Sequence, residues 1–234
     1  MARQRIVVVD TETTGLPSQQ SPGTVRIMQL GYVVCDLAED AQFEVVGEYD
    51  RLLRMDAGTF VHPTSQRIHG LDVARCNLEG VDVDVALGEL VGWLSGASPD
   101  REVVLVGHSL DFDMGLLAQE MRRVGREDWL RTLGTVSTCC TMEWGRDVCR
   151  LPYAHARAHA QTPYKNPKLV ELFAFLLGGR LAVPQGLHSA IVDARVCAAC
   201  YIALVVRGRG GLSAAGLDPL VPRLEKILAG TRPF

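Results

Sequence analysis

Three features that define large classes of proteins are missing from this 234-residue sequence. No apolar run reaches the roughly 20 residues that a membrane-spanning helix needs. The net charge of -3 gives no overall basic character, so a nucleic-acid partner must be held by a local patch or through metal ions. The apolar stretch near the first residue is too short for a secretory signal. We therefore expect an intracellular protein of the cytoplasm or nucleus, with no membrane partner.

The sequence also lacks the even number and regular spacing of cysteines that are typical of a disulfide-bonded protein. Its seven cysteines are expected to be free thiols in a reducing compartment. Cys197 and Cys200 are spaced as half of a zinc site, but no second Cys or His pair has a matching spacing. His155 and His159 lack the Glu of an H-E-x-x-H motif, and they fall in the basic segment 145–168, expected to be irregular. That segment could contact a phosphate backbone or could be a solvated loop, and both interpretations stay open.

What is present is the pattern of a globular α/β protein, with 47% apolar and 22% charged residues. Strands are predicted at 6–10, 26–37, 43–54, 102–108 and near 135–140. Helices are predicted at 83–94, 112–125, 166–179, 188–206 and 217–228. Short connections predict that the first three strands are antiparallel. The order describes one layered α/β fold. Asn166 is the expected N-cap of its helix, and the breaker at 207–211 precedes the last helix.

Acidic side chains stand where packing alone would not put them. Asp10 and Glu12 follow the first predicted strand, and residues two apart in an extended chain point to the same side. Asp111 and Asp113 follow the strand at 102–108, at the start of a helix. Taken alone, such acids could be ordinary turn residues. Ligands of open α/β sheets bind at the carboxyl ends of strands, which favours a site there.

A further acid, Asp193, lies inside an apolar helical stretch, five residues after His188. A carboxylate in such a setting is costly unless it is paired or bound to a metal. Converging carboxylates repel one another and raise each other's pKa unless cations lie among them. The sequence therefore predicts two hard divalent cations, Mg²⁺ with Mn²⁺ able to substitute, and a neutral histidine able to take a proton from water.

Three motifs in order carry a resemblance to a known family. They are "VVVDTETTGL" at 7–16, "HSLDFD" at 108–113 and "HSAIVDA" at 188–194. The chain resembles the DEDDh (DnaQ-like) 3′–5′ exonucleases from about residue 5 to 206. That resemblance implies an RNase H-like fold, with a mixed five-stranded sheet of order 3-2-1-4-5 in which strand 2 is antiparallel. The resemblance covers the expected exonuclease domain over 1–206. Residues 207–234 lie outside it and are expected to form a helical extension packed on the same domain, either as a docking helix or as a cover of the core.

The resemblance implies roles for individual residues. The metal ligands would be Asp10, Glu12, Asp113 and Asp193, with His188 as the general base. The substrate-binding residues would be Thr13, Thr14, Gly15, Leu16, His108, Ser109 and Phe112. Ser109 replaces the Asn that is usual in the second motif. Asp111 is an extra acid there, expected to be the N-cap of the following helix.

The expected activity is removal of nucleoside 5′-monophosphates from 3′ ends, by two-metal hydrolysis. The segment "YKNPKLVELFAFLLG" favours DNA, as in proofreading or repair enzymes, over RNA, as in RNase T and oligoribonuclease. A non-catalytic nucleic-acid-binding module is the alternative of another class. "VVVDTET" also faintly resembles the haloacid-dehalogenase loop, although its second acid and later acids do not fit. Single-stranded or 3′-terminal nucleic acid is the expected partner, with a polymerase subunit or a second copy as further candidates.

Overall fold

The computed structural model describes residues 3–21, 23–38, 42–96, 98, 101–153, 162–210 and 214–230. Its strands are β1 Arg3–Thr13, β2 Ile27–Leu37, β3 Phe43–Leu52, β4 Arg101–Gly107 and β5 Ser137–Cys140. Its first helices are α1 Pro63–His69, α2 Val73–Glu79, α3 Val83–Leu94, α4 Leu110–Arg123 and α5 Glu127–Thr135. The later ones are α6 Thr141–Cys149, α7 Leu169–Leu177, α8 Ala190–Gly210, the 3₁₀ turn Ala214–Leu220 and α9 Val221–Ala229.

The strands form one mixed sheet of order β3-β2-β1-β4-β5. Strand β2 is antiparallel to both of its neighbours, while β1, β4 and β5 run parallel to one another. This confirms the predicted fold and order. Strand β1 lies at the centre of the sheet and β4 lies next to it in parallel, so the carboxyl ends of both reach the same edge of the sheet.

The alternation of side chains along β1 divides the core into two layers. Ile6 and Val8 pack on the face covered by α7, α8 and α9. Val7 and Val9 pack on the opposite face, against α3, α4 and α5. Because successive residues of a strand point to opposite faces, Asp10 and Glu12 continue the Ile6 side, where α8 packs. The fold therefore presents these two acids to the helix that carries Asp193.

Several predicted boundaries are wrong. Strand β1 continues through Thr13, so Asp10 and Glu12 lie on the strand and do not follow it. Helices α2, α5 and α6 were not predicted, and α6 occupies the first residues of the supposedly irregular segment 145–168. These three helices have only seven to nine residues, which gives their apolar pattern little length to emerge. His155 and His159, interpreted as part of the basic segment, lie outside the described residues.

Two predicted helix ends also differ. The N-cap of α7 is Lys168, not Asn166, because the Glu171 carboxylate accepts the Lys168 backbone N–H at 2.8 Å. Helix α8 runs through the predicted breaker to Gly210, and the Arg207 guanidinium lies over the Phe175 ring. The boundary at 206/207 therefore falls inside a helix, and Leu220, Leu224 and Ile227 beyond it join the buried core. The division into a domain and an extension stays a prediction.

Within the described residues, no helix combines the length and the apolar character needed to cross a membrane. Cys197 and Cys200 are fully buried free thiols in the core. Burial raises the pKa of the Cys197 thiol well above its ordinary value, which disfavours the thiolate that zinc binding requires.

Candidate active site

The strand β1 places the first two acids beside helix α8. Asp10 is paired in register with Gly31 of β2. A Cβ on Gly31 would overlap the backbone of Ala190 and Ile191, at 2.7 Å from the Ala190 carbonyl oxygen. The start of α8 therefore lies directly on the sheet opposite Asp10. This close approach brings Asp193, in the first turn of α8, to the two acids of β1.

The entry to α8 is fixed by hydrogen bonds that involve both Asp193 and strand β2. Asp193 accepts the His188 backbone N–H at 3.1 Å, through its Oδ2 atom. The Gln29 side-chain oxygen accepts the Ala190 N–H at 3.1 Å. His188 has a left-handed backbone, with φ 68°, and is exposed to solvent. Residues held in this conformation cluster at functional sites, and His tolerates it better than most.

The second motif enters the site from the opposite face of the sheet. Asp113 lies in the first turn of α4 and is 3% exposed. It accepts a hydrogen bond at 2.7 Å from the hydroxyl of Thr11, which points to the α4 side of β1. Asp111 was predicted as the N-cap, but the N-cap is Ser109, and Asp111 lies exposed within the first turn. The prediction failed because the helix begins one residue before Asp111, at Leu110.

The backbone at Ser109 explains why its replacement of Asn matters. Ser109 has φ 74° and ψ 43°, the left-handed conformation, and makes no side-chain hydrogen bond to the helix. Asn adopts this conformation more readily than Ser, because its short amide side chain bonds locally. The position therefore favours the usual Asn by backbone conformation, independently of any contact with substrate.

Burial raises the pKa of all four acids, and repulsion among them adds to this effect at Asp10 and Glu12. Burial, followed by repulsion from Asp113, Asp193 and Glu12, raises the pKa of Asp10 well above its ordinary value. Burial, then the charges of Asp193 and Asp113, raises the pKa of Glu12 to about 7. Burial likewise raises the pKa of Asp113 to about 7, against the lowering effect of the Thr11 hydroxyl. Burial raises that of Asp193, opposed by the His188 N–H and ring charge.

This arrangement fits divalent cations. Asp10, Glu12 and Asp193 each offer a carboxylate oxygen, and these oxygens lie within 4.8 Å of one another. The Oδ1 atom of Asp193 is buried and has no hydrogen-bond partner among the described residues. An unpaired buried carboxylate oxygen among like charges is costly, and a hard cation removes that cost. Asp113, whose charge acts on Asp10 and Glu12, stands beside this group.

A cavity of about 180 Å³ opens beside Glu12. Its walls include Thr13, Leu16 and Phe112, all predicted to bind substrate. Leu16 is 47% exposed, which leaves an apolar surface available to a base at the cavity mouth. Helix α1 closes the other side with Ile68 and His69, which the sequence analysis did not assign to the site. Both residues stand in the segment "RIHGL" at 67–71, to which the sequence analysis gave no role.

His69 also fixes the backbone at the end of β1. Its Nε2 atom lies 3.1 Å from the Thr13 carbonyl oxygen, and its Nδ1 atom accepts the Leu71 N–H at 3.0 Å. The ring must then donate through Nε2 and be neutral, in agreement with burial, which lowers its pKa. The next carbonyl, of Thr14, accepts the His62 N–H at 2.7 Å. Gly15 lies buried in the same turn.

His108 was predicted to bind substrate, but both of its ring nitrogens face protein groups. Its Nδ1 lies 3.0 Å from the Thr141 hydroxyl and its Nε2 lies 3.0 Å from the Pro167 carbonyl. Burial lowers its pKa. These contacts tie β4 to α6 and to the segment before α7, and a substrate role for His108 stays a prediction.

Comparison with solved structures finds the same fold in Escherichia coli Exonuclease I. A complex with a dT13 oligonucleotide matches with a TM-score of 0.62 and 15% identity, over 94% of this chain and 43% of that one. A zinc-bound complex with single-stranded DNA matches with a TM-score of 0.61 and 14% identity, over 95% and 43%. The chain thus spans less than half the length of these proteins.

A search of curated protein sequences gave no match. The family model described as Exonuclease (RNase T) matches residues 7–201, which include all three motifs and all four clustered acids. The predicted family is confirmed, and the chain belongs to the DnaQ-like exonucleases.

Proposed function

We propose that this protein is a 3′–5′ exonuclease that removes nucleoside 5′-monophosphates from the 3′ end of single-stranded DNA. The observation that carries the proposal is the convergence of Asp10, Glu12 and Asp193 beside a cavity with an apolar wall. A nucleotide in that cavity would put its 5′ phosphate at the acids and its base against Leu16 and Phe112. Because the cavity is small, it suits one terminal nucleotide and not a duplex.

The four acids would hold two divalent cations, with Mg²⁺ as the expected ion and Mn²⁺ able to substitute. Bound there, the pair would neutralise charge that develops on the phosphate and the leaving oxygen and would lower the pKa of the attacking water. His188 is the proposed general base. Its exposed ring can accept the water proton and release it to solvent, since Asp193 orients its backbone.

The choice of DNA is supported by two observations. The neighbouring Exonuclease I structures contain single-stranded oligodeoxynucleotides. The segment "YKNPKLVELFAFLLG", which contains α7, also resembles DNA-directed members of the family. A polymerase subunit or a second copy of the chain remains the proposed protein partner, and an intracellular location remains the expectation.

The test uses 5′-labelled single-stranded DNA and RNA of one sequence, each with Mg²⁺ and with EDTA. We expect a ladder that shortens from the 3′ end of DNA and is abolished by EDTA. If the protein degrades RNA alone, the proposed substrate becomes RNA and the proposed role RNA turnover. If it binds nucleic acid but cleaves neither substrate, a non-catalytic binding module is favoured.

The chain supplies a matched pair of variants for this test. Asp113→Asn removes a buried carboxylate of the site, and Asp111→Asn removes an exposed one two residues earlier in the same helical turn. We expect the first variant to lose at least about 10³-fold in rate, in line with the loss of an essential charged group, and the second to keep wild-type activity. Equal activity of both variants would show that the acids are assigned wrongly.

A further inference from the structure

One wall of the cavity beside Glu12, the one that includes Leu16, belongs to a loop that leaves β1 and returns to β2. Thr13 and Ile27 pair across the base of this loop, and residues 14–26 lie between them. The loop carries Leu16, the exposed apolar residue at the cavity mouth. Its position relative to the acids must therefore be fixed by contacts outside the two strands.

Helix α4 holds the returning side of the loop through three neighbouring side chains. The Gln119 amide donates to the Val25 carbonyl. Arg123 donates to the Gly23 carbonyl at 2.6 Å. Between them, Glu120 accepts a hydrogen bond from Arg26 Nε at 2.8 Å. Residues 119, 120 and 123 lie on one face of α4, and this face therefore makes hydrogen bonds to Gly23, Val25 and Arg26 of the loop.

Of these contacts between α4 and the loop, the Glu120–Arg26 ion pair is the buried one. Glu120 is 0% exposed and Arg26 is 6% exposed. The second carboxylate oxygen of Glu120 has no hydrogen bond among the described residues, although Arg123 Nε lies 3.6 Å from it. A buried ion pair gives little net stability compared with apolar residues of the same size, so its presence favours a role in fixing geometry.

The Arg26 backbone is joined by hydrogen bonds to Thr14, which leads into the cavity wall. Its backbone N–H donates to the Thr14 hydroxyl at 2.9 Å, and the Thr14 N–H donates to the Arg26 carbonyl at 2.9 Å. Thr14 precedes Gly15 and Leu16 directly. A continuous set of hydrogen bonds therefore joins Glu120 to the outgoing side of the loop.

The same helix carries Asp113, seven residues or two turns before Glu120. We propose that Glu120 is a positioning residue, which sets the distance between the nucleotide-binding loop and the acid cluster by fixing both to α4. This inference rests on the proposed function. Its consequence is that loss of the pair weakens binding of the terminal nucleotide while the acids themselves remain in place.

The test separates position from stability by comparing a single variant with a double one. Glu120→Leu removes the buried partner of Arg26, leaves it the exposed Asp56, and should lower both the melting temperature and nucleotide affinity. Arg26→Met combined with Glu120→Leu replaces the buried pair by apolar side chains and should recover most of the melting temperature. Asp36→Asn, at the part-buried Arg5–Asp36 pair near the other end of β1, is the matched control.

The expected result is a KM for a single-stranded oligodeoxynucleotide raised about tenfold in both Glu120 variants, with kcat within about twofold of wild type. The Asp36→Asn control should lose stability without a change in KM. Recovery of KM together with melting temperature in the double variant would overturn the proposal, because the pair would then act on stability alone.

Binding of deoxynucleoside 5′-monophosphate in Mg²⁺, measured by calorimetry, keeps this inference distinct from the activity. If the wild type binds the monophosphate but does not cleave DNA, the proposed function fails, and Glu120 is still judged by its effect on that affinity. If the wild type neither binds nor cleaves, both proposals are overturned.

Discussion

Replacement of Gly31 by Ala should damage the active site without touching any acid. The added Cβ would lie 2.7 Å from the Ala190 carbonyl oxygen and would also overlap the Ile191 backbone. Carbon and oxygen atoms in ordinary contact stay about 3.5 Å apart, so the start of α8 must move by about 1 Å. Asp193 stands in that first turn and would move with it.

The magnitude follows from that displacement. A misplacement of 1 Å in a catalytic arrangement can cost about 10²-fold in rate. Overpacking of this kind also costs about 1–3 kcal/mol of stability, which for a chain of this size lowers the melting temperature by about 2–12 °C. The variant should therefore remain folded at 25 °C while it degrades DNA about a hundred times more slowly.

The assay is digestion of a 5′-labelled oligodeoxynucleotide in Mg²⁺, with circular dichroism to confirm the fold. Gly92→Ala is the matched control, because a Cβ at this exposed position in α3 meets no atom within 4 Å. It should gain about 0.5–1 kcal/mol from the better helix former and keep its activity. Wild-type activity in folded Gly31→Ala would refute the argument that this glycine sets the approach of Asp193.

Four other predictions follow from the same geometry. Ser109→Asn should raise the free energy of unfolding by about 1 kcal/mol in urea titrations, because Asn tolerates the left-handed backbone at that position, and an unchanged midpoint would contradict this. Without divalent ions, stability should fall as pH rises from about 4 to 7, since folded Glu12 and Asp113, with pKa values of about 7, hold protons that the unfolded chain has released. Mg²⁺ competes with these protons, so its effect on the melting temperature should be larger at pH 8 than at pH 5.5, and the reverse order would argue against binding at the acids. Ile68→Ala should raise KM for DNA severalfold by removing half-exposed apolar surface from the cavity wall, whereas Leu78→Ala, on α2 and outside that cavity, should not.

The sequence predicts the fold well where side-chain periodicity and length agree. The strand pattern and the three motifs lead to the observed sheet order, and α3 is found at Val83–Leu94 as predicted. The spacing of Asp10 and Glu12 also predicts correctly that both face one side. What the sequence does not reveal is that β1 extends to Thr13, because two acids alternating with two threonines do not indicate a buried strand.

The missing parts of the site depend on tertiary contacts. His69 and Ile68 belong to a seven-residue helix whose position beside Glu12 comes from the fold, not from their own spacing. Glu120 reads as an ordinary helix residue, and only its burial against Arg26 distinguishes it. Ser109 could be noticed as a departure from the family, but its left-handed backbone requires the structure.

The two faces of β1 explain how a single strand organises the whole site. Asp10 and Glu12 point to α8 and meet Asp193, while Thr11 between them points to α4 and holds Asp113. Because the side chains alternate, one stretch of three residues gathers acids from helices on opposite faces of the sheet. Until a cation is bound, contacts elsewhere in the fold must offset the repulsion among these carboxylates. The close approach of α8 at Gly31 and the hydrogen bonds of His69 and Glu120 are consistent with that need. An acid cluster whose pKa values are raised and which still keeps its geometry is prepared to bind cations, and under the proposed function the adjoining cavity would bring the terminal phosphate to the same place.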